Sequence, residues 1–237
     1  MDKNLGFRDF GVDVVVKLGG SLLADFDRAR ELGETLSRLA ATHRVVVFPG
    51  GGPIDNYIED VDRTLHFPAD IHHQLCARAQ DQTGLIFSTL CPGSKVFTRP
   101  VEVSSVLDEK RVAIMLPMEQ IIGLDIFERS WVITSDSMAA WFARFFGARK
   151  FAILTDVPGI RHPEGDGTYL ERLSTVDAAA MGRTSIDECL PPFLEANGMS
   201  CTVLNGQDHA SVKNWFRGEP APGTEVYPVG VGNRDSA

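Results

Sequence analysis

Residues 12–21 read Val-Asp-Val-Val-Val-Lys-Leu-Gly-Gly-Ser, a β-branched run that leads into a lysine and then a pair of glycines. A second run of this kind, at residues 44–48, leads into Pro49 and three further glycines. Continuous β-branched runs are typical of parallel strands that helices cover on both faces. Because the ends of parallel strands share one edge of a sheet, we expect the two glycine loops to lie side by side.

The segment between these loops predicts the helix of a βαβ unit. Over residues 25–41, leucines recur at helical spacing among charged residues, which indicates an amphipathic helix returning to the sheet. Further buried strands are predicted at residues 111–116, at Lys150–Thr155 and at residues 200–204. Strands that alternate with helices in this way predict an α/β fold.

Several shorter elements have less regular patterns. Residues 101–103 are predicted as a short strand, and Thr224–Tyr227 as an edge strand. A helix predicted over residues 68–90 contains His72 and His73. Since a metal site would need more ligands and no histidine or carboxylate follows at i+3 or i+4 spacing, we expect both histidines to be surface or capping residues rather than metal ligands. His73 would meet an acceptor substrate only if this helix lines the pocket.

The composition excludes several classes of protein. The chain has 237 residues, of which 43% are hydrophobic, enough for one large α/β domain or two lobes. A formal net charge of −9 argues against non-specific nucleic-acid binding, which depends on lysines and arginines. The four cysteines show no metal-ligand spacing, and no apolar run reaches about 18 residues. We therefore expect a cytoplasmic protein without nucleic-acid or membrane partners.

The glycine loops suit the binding of a phosphate group. Backbone N–H groups can approach a phosphate where no Cβ stands in the way, and a helix N-terminus behind the loop adds a favourable dipole. Lys17 would stand beside the loops as a compact cation. For either loop alone, a tight turn between strand and helix is an equally good interpretation. The two loops together with the lysine favour a phosphate site.

Three carboxylates have a structural interpretation beside a functional one. Thr134 or Ser135 is a good N-cap, and Asp136 falls in the first turn of the helix that follows. A carboxylate there is favoured by about 0.3–1 kcal/mol, which accounts for the residue without any catalytic role. Asp187 and Glu188 form a helix-start signature of their own, for which capping is the default role.

Four segments, taken in order and at their spacings, resemble the amino acid kinase family. They are Lys-Leu-Gly-Gly-Ser at 17–21, Pro-Gly-Gly-Gly at 49–52, Thr-Ser-Asp-Ser at 134–137 and Leu-Thr-Asp-Val-Pro-Gly-Ile at 154–160. The resemblance implies a three-layer α/β/α sandwich around a mainly parallel sheet. It also implies a single domain over residues 1–237, with an acceptor-binding lobe at about 1–148 and a nucleotide-binding lobe at about 149–237. A homo-oligomer is expected as well.

The resemblance assigns roles to individual residues. Lys17 is similar to a lysine that bridges donor and acceptor phosphates, and Asp136 to an aspartate that orients catalytic lysines. The implied phosphate-binding loops contain Gly19, Gly20, Ser21, Gly50, Gly51 and Gly52. The implied nucleotide-binding loop contains Thr155, Asp156, Val157, Gly159 and Ile160. Candidate acceptor contacts are His73, Arg99, Ser135, Asp187 and Glu188.

The implied activity is ATP-dependent phosphoryl transfer to a small phosphorylated metabolite, with Mg²⁺ held mainly by the ATP phosphates. Within the family, residues 130–137, 185–188 and 203–206 are similar to a uridylate-kinase-like branch. Acceptors in that branch include an aminomethyl-furanylmethyl phosphate of methanofuran biosynthesis, which we expect here, and UMP, which is the alternative. Several family members carry a second lysine where this chain has Asp187 and Glu188. These two carboxylates suit the amine of the furan acceptor as well as they suit helix capping.

The alternative of another class is a binding protein, since the family fold has also been adapted to oxyanion storage. Such a protein would hold ATP or another oxyanion without turning over an acceptor. The presence of both Lys17 and Asp136 favours the enzyme.

Overall fold

The computed structural model describes residues 10–130, 132–163, 165 and 167–230. Within these residues, eight strands form one sheet. They are β1 (Val14–Leu18), β2 (Val45–Pro49), β3 (Lys95–Phe97), β4 (Ala113–Met115), β5 (Lys150–Thr155), β6 (Arg172–Ser174), β7 (Cys201–Asn205) and β8 (Thr224–Tyr227). The order across the sheet is β3-β4-β2-β1-β5-β7-β8-β6. Neighbouring strands are parallel except for the antiparallel pair β7 and β8, so the predicted, mainly parallel sheet is confirmed.

Nine α-helices lie in the same described ranges. They are α1 (Phe26–Leu39), α2 (Gly52–Leu65), α3 (Ala69–Leu90), α4 (Val103–Asp108), α5 (Met118–Leu124), α6 (Ser135–Phe145), α7 (Thr175–Ala180), α8 (Leu190–Asn197) and α9 (His209–Arg217). Short 3₁₀ turns at Gly20–Ala24 and Pro100–Glu102 precede α1 and α4. None of the helices described here is both long and apolar enough to cross a membrane.

The helices pack on both faces of the sheet, and each face has its own core. Side chains alternate along β1, so Val14 and Val16 join one core while Val15 joins the other. The first core contains Leu32 of α1, and the second contains Phe142 of α6. All five side chains are at most 1% exposed, and burial of this kind is the main favourable term in folding. The predicted three-layer α/β/α sandwich is confirmed.

The central position of β1 brings the loops together. Lys17 pairs in register with Phe48 of β2 on one side and with Ile153 of β5 on the other. The three strands therefore end at the same level, and the loops that follow them meet at one edge of the sheet. This arrangement confirms that the two glycine loops lie side by side.

The prediction of a strand at residues 101–103 is wrong. Pro100–Glu102 forms a 3₁₀ turn, and α4 begins at Val103. Proline suits the first position of such a turn, and the Glu102 carboxylate accepts the N–H of Arg99. Three alternating residues are too few to distinguish a strand from a turn that is held in this way.

The predicted strand Thr224–Tyr227 is present as β8, but its predicted edge position is wrong. β8 lies inside the sheet between β7 and β6, and β6 is the strand at the edge. β6 has only three residues, so the alternation typical of a strand is not visible in the sequence.

The expectation that His72 and His73 are surface or capping residues is also wrong. Each residue is 6% exposed. Both lie on α3, which packs against α1, α2 and α5 and therefore buries more of its circumference than a surface helix does. Burial lowers the pKa of both imidazoles, so both rings are neutral near pH 7.

Candidate active site

The loop that follows β1 contacts both the second glycine loop and the end of β5 through the backbone. A Cβ on Gly20 would overlap the Cα of Gly52, and a Cβ on Gly19 would lie 2.6 Å from the Leu154 carbonyl oxygen. The Gly19 N–H donates to that same carbonyl at 2.7 Å. Glycine is therefore required at these positions for the loops to approach one another, whatever ligand they bind.

The same loops leave backbone donors for a ligand. Within the described residues, the N–H groups of Gly20, Gly51 and Gly52 donate no hydrogen bond. These three residues line a cavity of about 830 Å³ together with Ser21 and Gly50. Gly52 also begins α2, so the positive end of the helix dipole lies at the cavity. N–H groups at a helix N-terminus form an anion site, and a phosphate group suits it.

Lys17 and Asp136 form an ion pair in the wall of this cavity. Lys17 Nζ lies 2.7 Å from Asp136 Oδ1, and the two side chains are 12% and 9% exposed. Thr134, one of the two predicted caps, accepts the Asp136 N–H at 3.3 Å and so caps α6. Because Thr134 caps the helix, the Asp136 carboxylate remains available to the ammonium group. The structure thus brings together the two residues predicted to be catalytic.

Asp187 is buried behind this ion pair and does not line the cavity. Its carboxylate accepts the backbone N–H and the hydroxyl of both Thr134 and Ser137, at the start of α6. It also accepts the N–H groups of Cys189 and Leu190, at the start of α8. Of the two interpretations left open, helix capping accounts for Asp187. The carboxylate fastens two helix N-termini to each other.

Of the remaining residues predicted to contact the acceptor, some line the cavity and others do not. Ser135 lines the cavity beside Lys17. His73 is buried in the packing of α3, and Arg99 lies outside the cavity, where it pairs with Glu102 at 2.7 Å. Glu188 is exposed and does not line the cavity either. Only Ser135 among the five candidates is therefore placed to meet a substrate there.

The predicted nucleotide-binding loop, residues 155–160, follows β5 at the same edge of the sheet. The Ile160 N–H donates to Thr224 Oγ1 at 2.8 Å, which ties the loop to the start of β8. Val157 and Gly159 line a separate cavity of about 330 Å³. The loop therefore has a defined shape beside the phosphate loops, and its role in nucleotide binding stays a prediction.

The cavity has an acidic side that sequence reasoning missed. Asp55, Glu59 and Asp62 of α2 line it together with Lys17. Burial raises the pKa of Asp55, and its Oδ1 has no hydrogen-bond partner within the described residues. The i, i+4, i+7 spacing of these carboxylates on one helical face is visible in the sequence. Only the folded chain shows that this face borders the phosphate loops.

Two arginines that sequence reasoning missed also line the cavity. Arg63 belongs to α2, whereas Arg183 comes from the irregular segment between α7 and α8. No sequence pattern points to Arg183, because its segment has no period and lies far along the chain from both glycine loops.

Comparisons with known proteins agree with this geometry. The model of the amino acid kinase family matches residues 14–205. The [5-(aminomethyl)furan-3-yl]methyl phosphate kinase of Methanocaldococcus jannaschii is 30% identical, over 91% of this chain and 98% of that protein. A uridylate kinase of Haloarcula marismortui is 25% identical, again over 91% of this chain and 98% of that protein.

Solved structures show the same fold. The uridylate kinase from Archaeoglobus fulgidus superposes with a TM-score of 0.71 at 22% identity, covering 91% of this chain and 100% of that one. The UMP kinase from Ureaplasma parvum gives a TM-score of 0.70 at 15% identity, covering 91% and 96%. The family match over most of the chain and the 30% identical relative show that this protein is a phosphotransferase of the amino acid kinase family.

Proposed function

We propose that this enzyme transfers the γ-phosphoryl group of ATP to the phosphate of a small metabolite that also carries a protonated amine. The observation that carries the proposal is the composition of one cavity of about 830 Å³. It combines the glycine loops and Lys17, which suit phosphates, with the carboxylates of α2, which suit a cation. An acceptor with both groups is complementary to both parts of the cavity.

The phosphate part of the cavity accounts for the transfer step. An oxygen of the acceptor phosphate attacks the γ-phosphorus, the bond to the β,γ-bridging oxygen breaks, and ADP leaves. The product is a diphosphate, and no strong base is needed because the attacking oxygen is already ionised. The N–H groups of Gly20, Gly51 and Gly52 would hold the phosphates in line, and Lys17 would follow the moving phosphoryl group.

Magnesium would enter with the nucleotide and neutralise charge on its phosphates. In the described part of the chain, no group of three or more His, Cys, Asp or Glu side chains is placed to hold a metal ion. We propose that the protein binds and aligns the phosphates through Lys17 and the loop amides.

The acidic part of the cavity supports an amine-bearing acceptor. Glu59 already pairs with Arg63 at 2.8 Å, and Asp62 accepts the N–H of Phe67 at 2.6 Å. Asp55 remains the carboxylate with an oxygen that no described residue satisfies. An ammonium group would satisfy this oxygen and compensate a charge that burial makes costly. We therefore propose that Asp55, rather than Asp187 or Glu188, binds the amine of the acceptor.

One relative supports this choice of acceptor. The Methanocaldococcus jannaschii relative is named for an acceptor with both an aminomethyl group and a phosphate. UMP is the second candidate, because the Haloarcula marismortui relative is a uridylate kinase. Uracil carries no positive charge, so the carboxylates of α2 would give UMP no favourable electrostatic contact.

The function is tested by ADP release with a matched pair of acceptors and by the mass of each product. [5-(Aminomethyl)furan-3-yl]methyl phosphate is compared with the analogue in which a hydroxymethyl group replaces the aminomethyl group, and with UMP. We expect kcat/KM to be at least about tenfold higher for the amine, the scale of one charge-assisted contact. Faster turnover of UMP would make the enzyme a uridylate kinase, and nucleotide binding without transfer would favour the storage class.

Replacing Asp55 with asparagine is expected to raise the melting temperature at pH 7. Burial raises the pKa of this carboxyl above its usual 3.8, so the ionised form destabilises the folded state. That destabilisation is absent below about pH 3.8 and grows as the pH rises through the raised pKa. The gain in melting temperature of Asp55→Asn should therefore be larger at pH 7 than near pH 3.8, as scanning calorimetry can show.

The same variant should lose the preference for the aminated acceptor over its hydroxymethyl analogue. Asp60→Asn is the matched control, because Asp60 lies on the exposed side of the same helix and does not line the cavity. A lower melting temperature for Asp55→Asn, together with an unchanged acceptor preference, would contradict both the burial and the amine contact.

Asp136→Asn is expected to lower kcat by about 10²-fold and also to lower the melting temperature, because the Lys17 ammonium, on a side chain 12% exposed, loses its ionic partner. Asparagine cannot hold the Lys17 ammonium by charge, so Lys17 is no longer fixed 2.7 Å from its partner. Thr134 still caps α6, which preserves the helix. Steady-state kinetics and thermal unfolding separate the two effects. Normal turnover with a collapsed melting temperature would show that Asp136 is only structural.

A further inference from the structure

The cavity holds three lysine or arginine side chains, and two of them are already paired. Lys17 Nζ lies 2.7 Å from Asp136 Oδ1. Arg63 lies 2.8 Å from Glu59 and 2.6 Å from Asp60.

Arg183 differs from both. It lines the same cavity, and within the described residues it makes no hydrogen bond or ion pair. Its guanidinium therefore keeps its full set of donors for a ligand.

The segment that carries Arg183 is fastened to the predicted nucleotide loop. Gly182 has a φ of +68°, which turns the chain at the end of α7. Two residues after Arg183, the Ser185 hydroxyl donates to the Gly159 carbonyl oxygen at 2.9 Å. The segment of Arg183 thus lies beside the predicted nucleotide loop, and Arg183 lines the cavity.

The other end of this segment is hydrogen-bonded to Asp136, the ionic partner of Lys17. The Asp187 N–H donates to Asp136 Oδ2 at 3.3 Å, and the Asp187 carboxylate caps α6. Four residues after Arg183, the chain is therefore anchored to the helix that positions the catalytic ion pair. The backbone at Arg183 therefore lies close to two anchored points, and its exposed side chain borders the cavity.

Charge balance gives this arginine a task. Phosphoryl transfer places negative charge on the equatorial oxygens of the moving group. Lys17 contributes one full positive charge, which its contact with the Asp136 carboxylate partly offsets. Backbone N–H groups contribute only partial charges. A further full cation beside the transferring group would offset more of this charge, and within the described residues Arg183 lines the cavity without pairing with a carboxylate.

We infer that Arg183 is a further catalytic residue, whose guanidinium donates to the γ-phosphoryl oxygens of the nucleotide during transfer. The inference rests on the proposed function. A guanidinium presents paired donors that match two phosphate oxygens, and it stays protonated throughout. No proton moves to or from Arg183: the acceptor oxygen forms the new bond to phosphorus, and the electron pair of the broken bond leaves with ADP.

The test compares nucleotides with and without the γ-phosphoryl group. Binding of Mg²⁺ with AMP-PNP and with ADP is measured by calorimetry for the wild type, Arg183→Ala and Arg183→Lys. We expect Arg183→Ala to bind AMP-PNP about tenfold more weakly while ADP binding stays within about twofold. Arg183→Lys should fall between the two proteins. If the alanine variant does not fold, Arg183→Lys alone provides the comparison between the two nucleotides.

Turnover supplies a second readout. Arg183→Ala should lower kcat by about 10²-fold, and added guanidinium ion should restore part of it, which a purely structural arginine would not allow. Arg217→Ala is the control, because Arg217 is exposed in the last turn of α9.

Two results would overturn the inference. One is equal binding of AMP-PNP by Arg183→Ala and the wild type. The other is a raised acceptor KM with unchanged discrimination between the two nucleotides, which would place Arg183 on the acceptor. Failure of the proposed function has a different signature, since it is read from wild-type turnover of the aminated acceptor. The nucleotide comparison decides the role of Arg183 without any acceptor.

Discussion

Lys17→Ala is expected to lower kcat by about 10²–10³-fold, the scale seen when one preorganised charge stabiliser is removed. It should also lower the melting temperature, because the Asp136 carboxylate, with a side chain 9% exposed, loses its ionic partner. An unpaired carboxylate at such a site costs on the order of 3 kcal/mol. Steady-state kinetics with the aminated acceptor and thermal unfolding measure the two effects.

A second substitution separates chemistry from stability. Adding Asp136→Asn to Lys17→Ala removes the uncompensated charge, so the melting temperature should recover while kcat stays low. Turnover that recovers together with the melting temperature would mean that Lys17 acts only through folding. Unchanged turnover in the single variant would remove Lys17 from the mechanism altogether.

Gly20→Ala is expected to lower kcat by about 10²-fold, because a Cβ at this position overlaps the Cα of Gly52. Both partners are backbone, so neither can rotate away as a side chain would. The two phosphate loops must separate, and the N–H groups of Gly20 and Gly52 lose their common alignment. Activity and nucleotide binding should fall together, and overpacking of this kind costs about 1–3 kcal/mol of stability.

Gly123→Ala provides a matched control for this prediction. Gly123 lies in α5, a Cβ there would meet nothing within 4 Å, and alanine is the better helix former. This variant should match or slightly exceed the wild type in stability and retain its activity. Equal activities of Gly20→Ala and Gly123→Ala would show that contact between the loops is not needed for catalysis.

The central part of the fold is predictable because its strands are buried on both faces. The valine runs of β1 and β2 and the apolar run of β5 have no polar alternation, which is the pattern of parallel strands under two layers of helices. The helix predicted between β1 and β2 makes them a βαβ unit, whose two strands are parallel. Short elements are different, since the three residues of β6 and the turn at Pro100–Glu102 carry too little pattern to be identified.

The candidate site divides in the same way. Lys17, Asp136 and the two glycine loops are recognisable because each stands at the end of a strand or the start of a helix. Whether Asp187 caps a helix or binds an amine could not be decided from the sequence, because both roles need the same carboxylate. Its six donors, from α6 and α8, exist only once the chain is folded.

The residues that were missed depend on packing between distant segments. Asp55 lies on a helix whose acidic face would ordinarily be solvated, and its proximity to Lys17 depends on how α2 leaves the second glycine loop. Arg183 is 166 residues from Lys17 in the numbering of the chain, and hydrogen bonds made by Ser185 and Asp187 hold its segment in place. Local propensity contains no information on such contacts.

The central claim is that the glycine loops and Lys17 hold the transferring phosphoryl group. A crystal structure of the enzyme with Mg²⁺, AMP-PNP and the acceptor phosphate tests it most directly. We expect γ-phosphoryl oxygens about 3 Å from the N–H nitrogens of Gly20 and Gly52 and from Lys17 Nζ. A nucleotide bound instead in the cavity of about 840 Å³ beside Lys150 and Trp215, with no phosphate at either glycine loop, would contradict it.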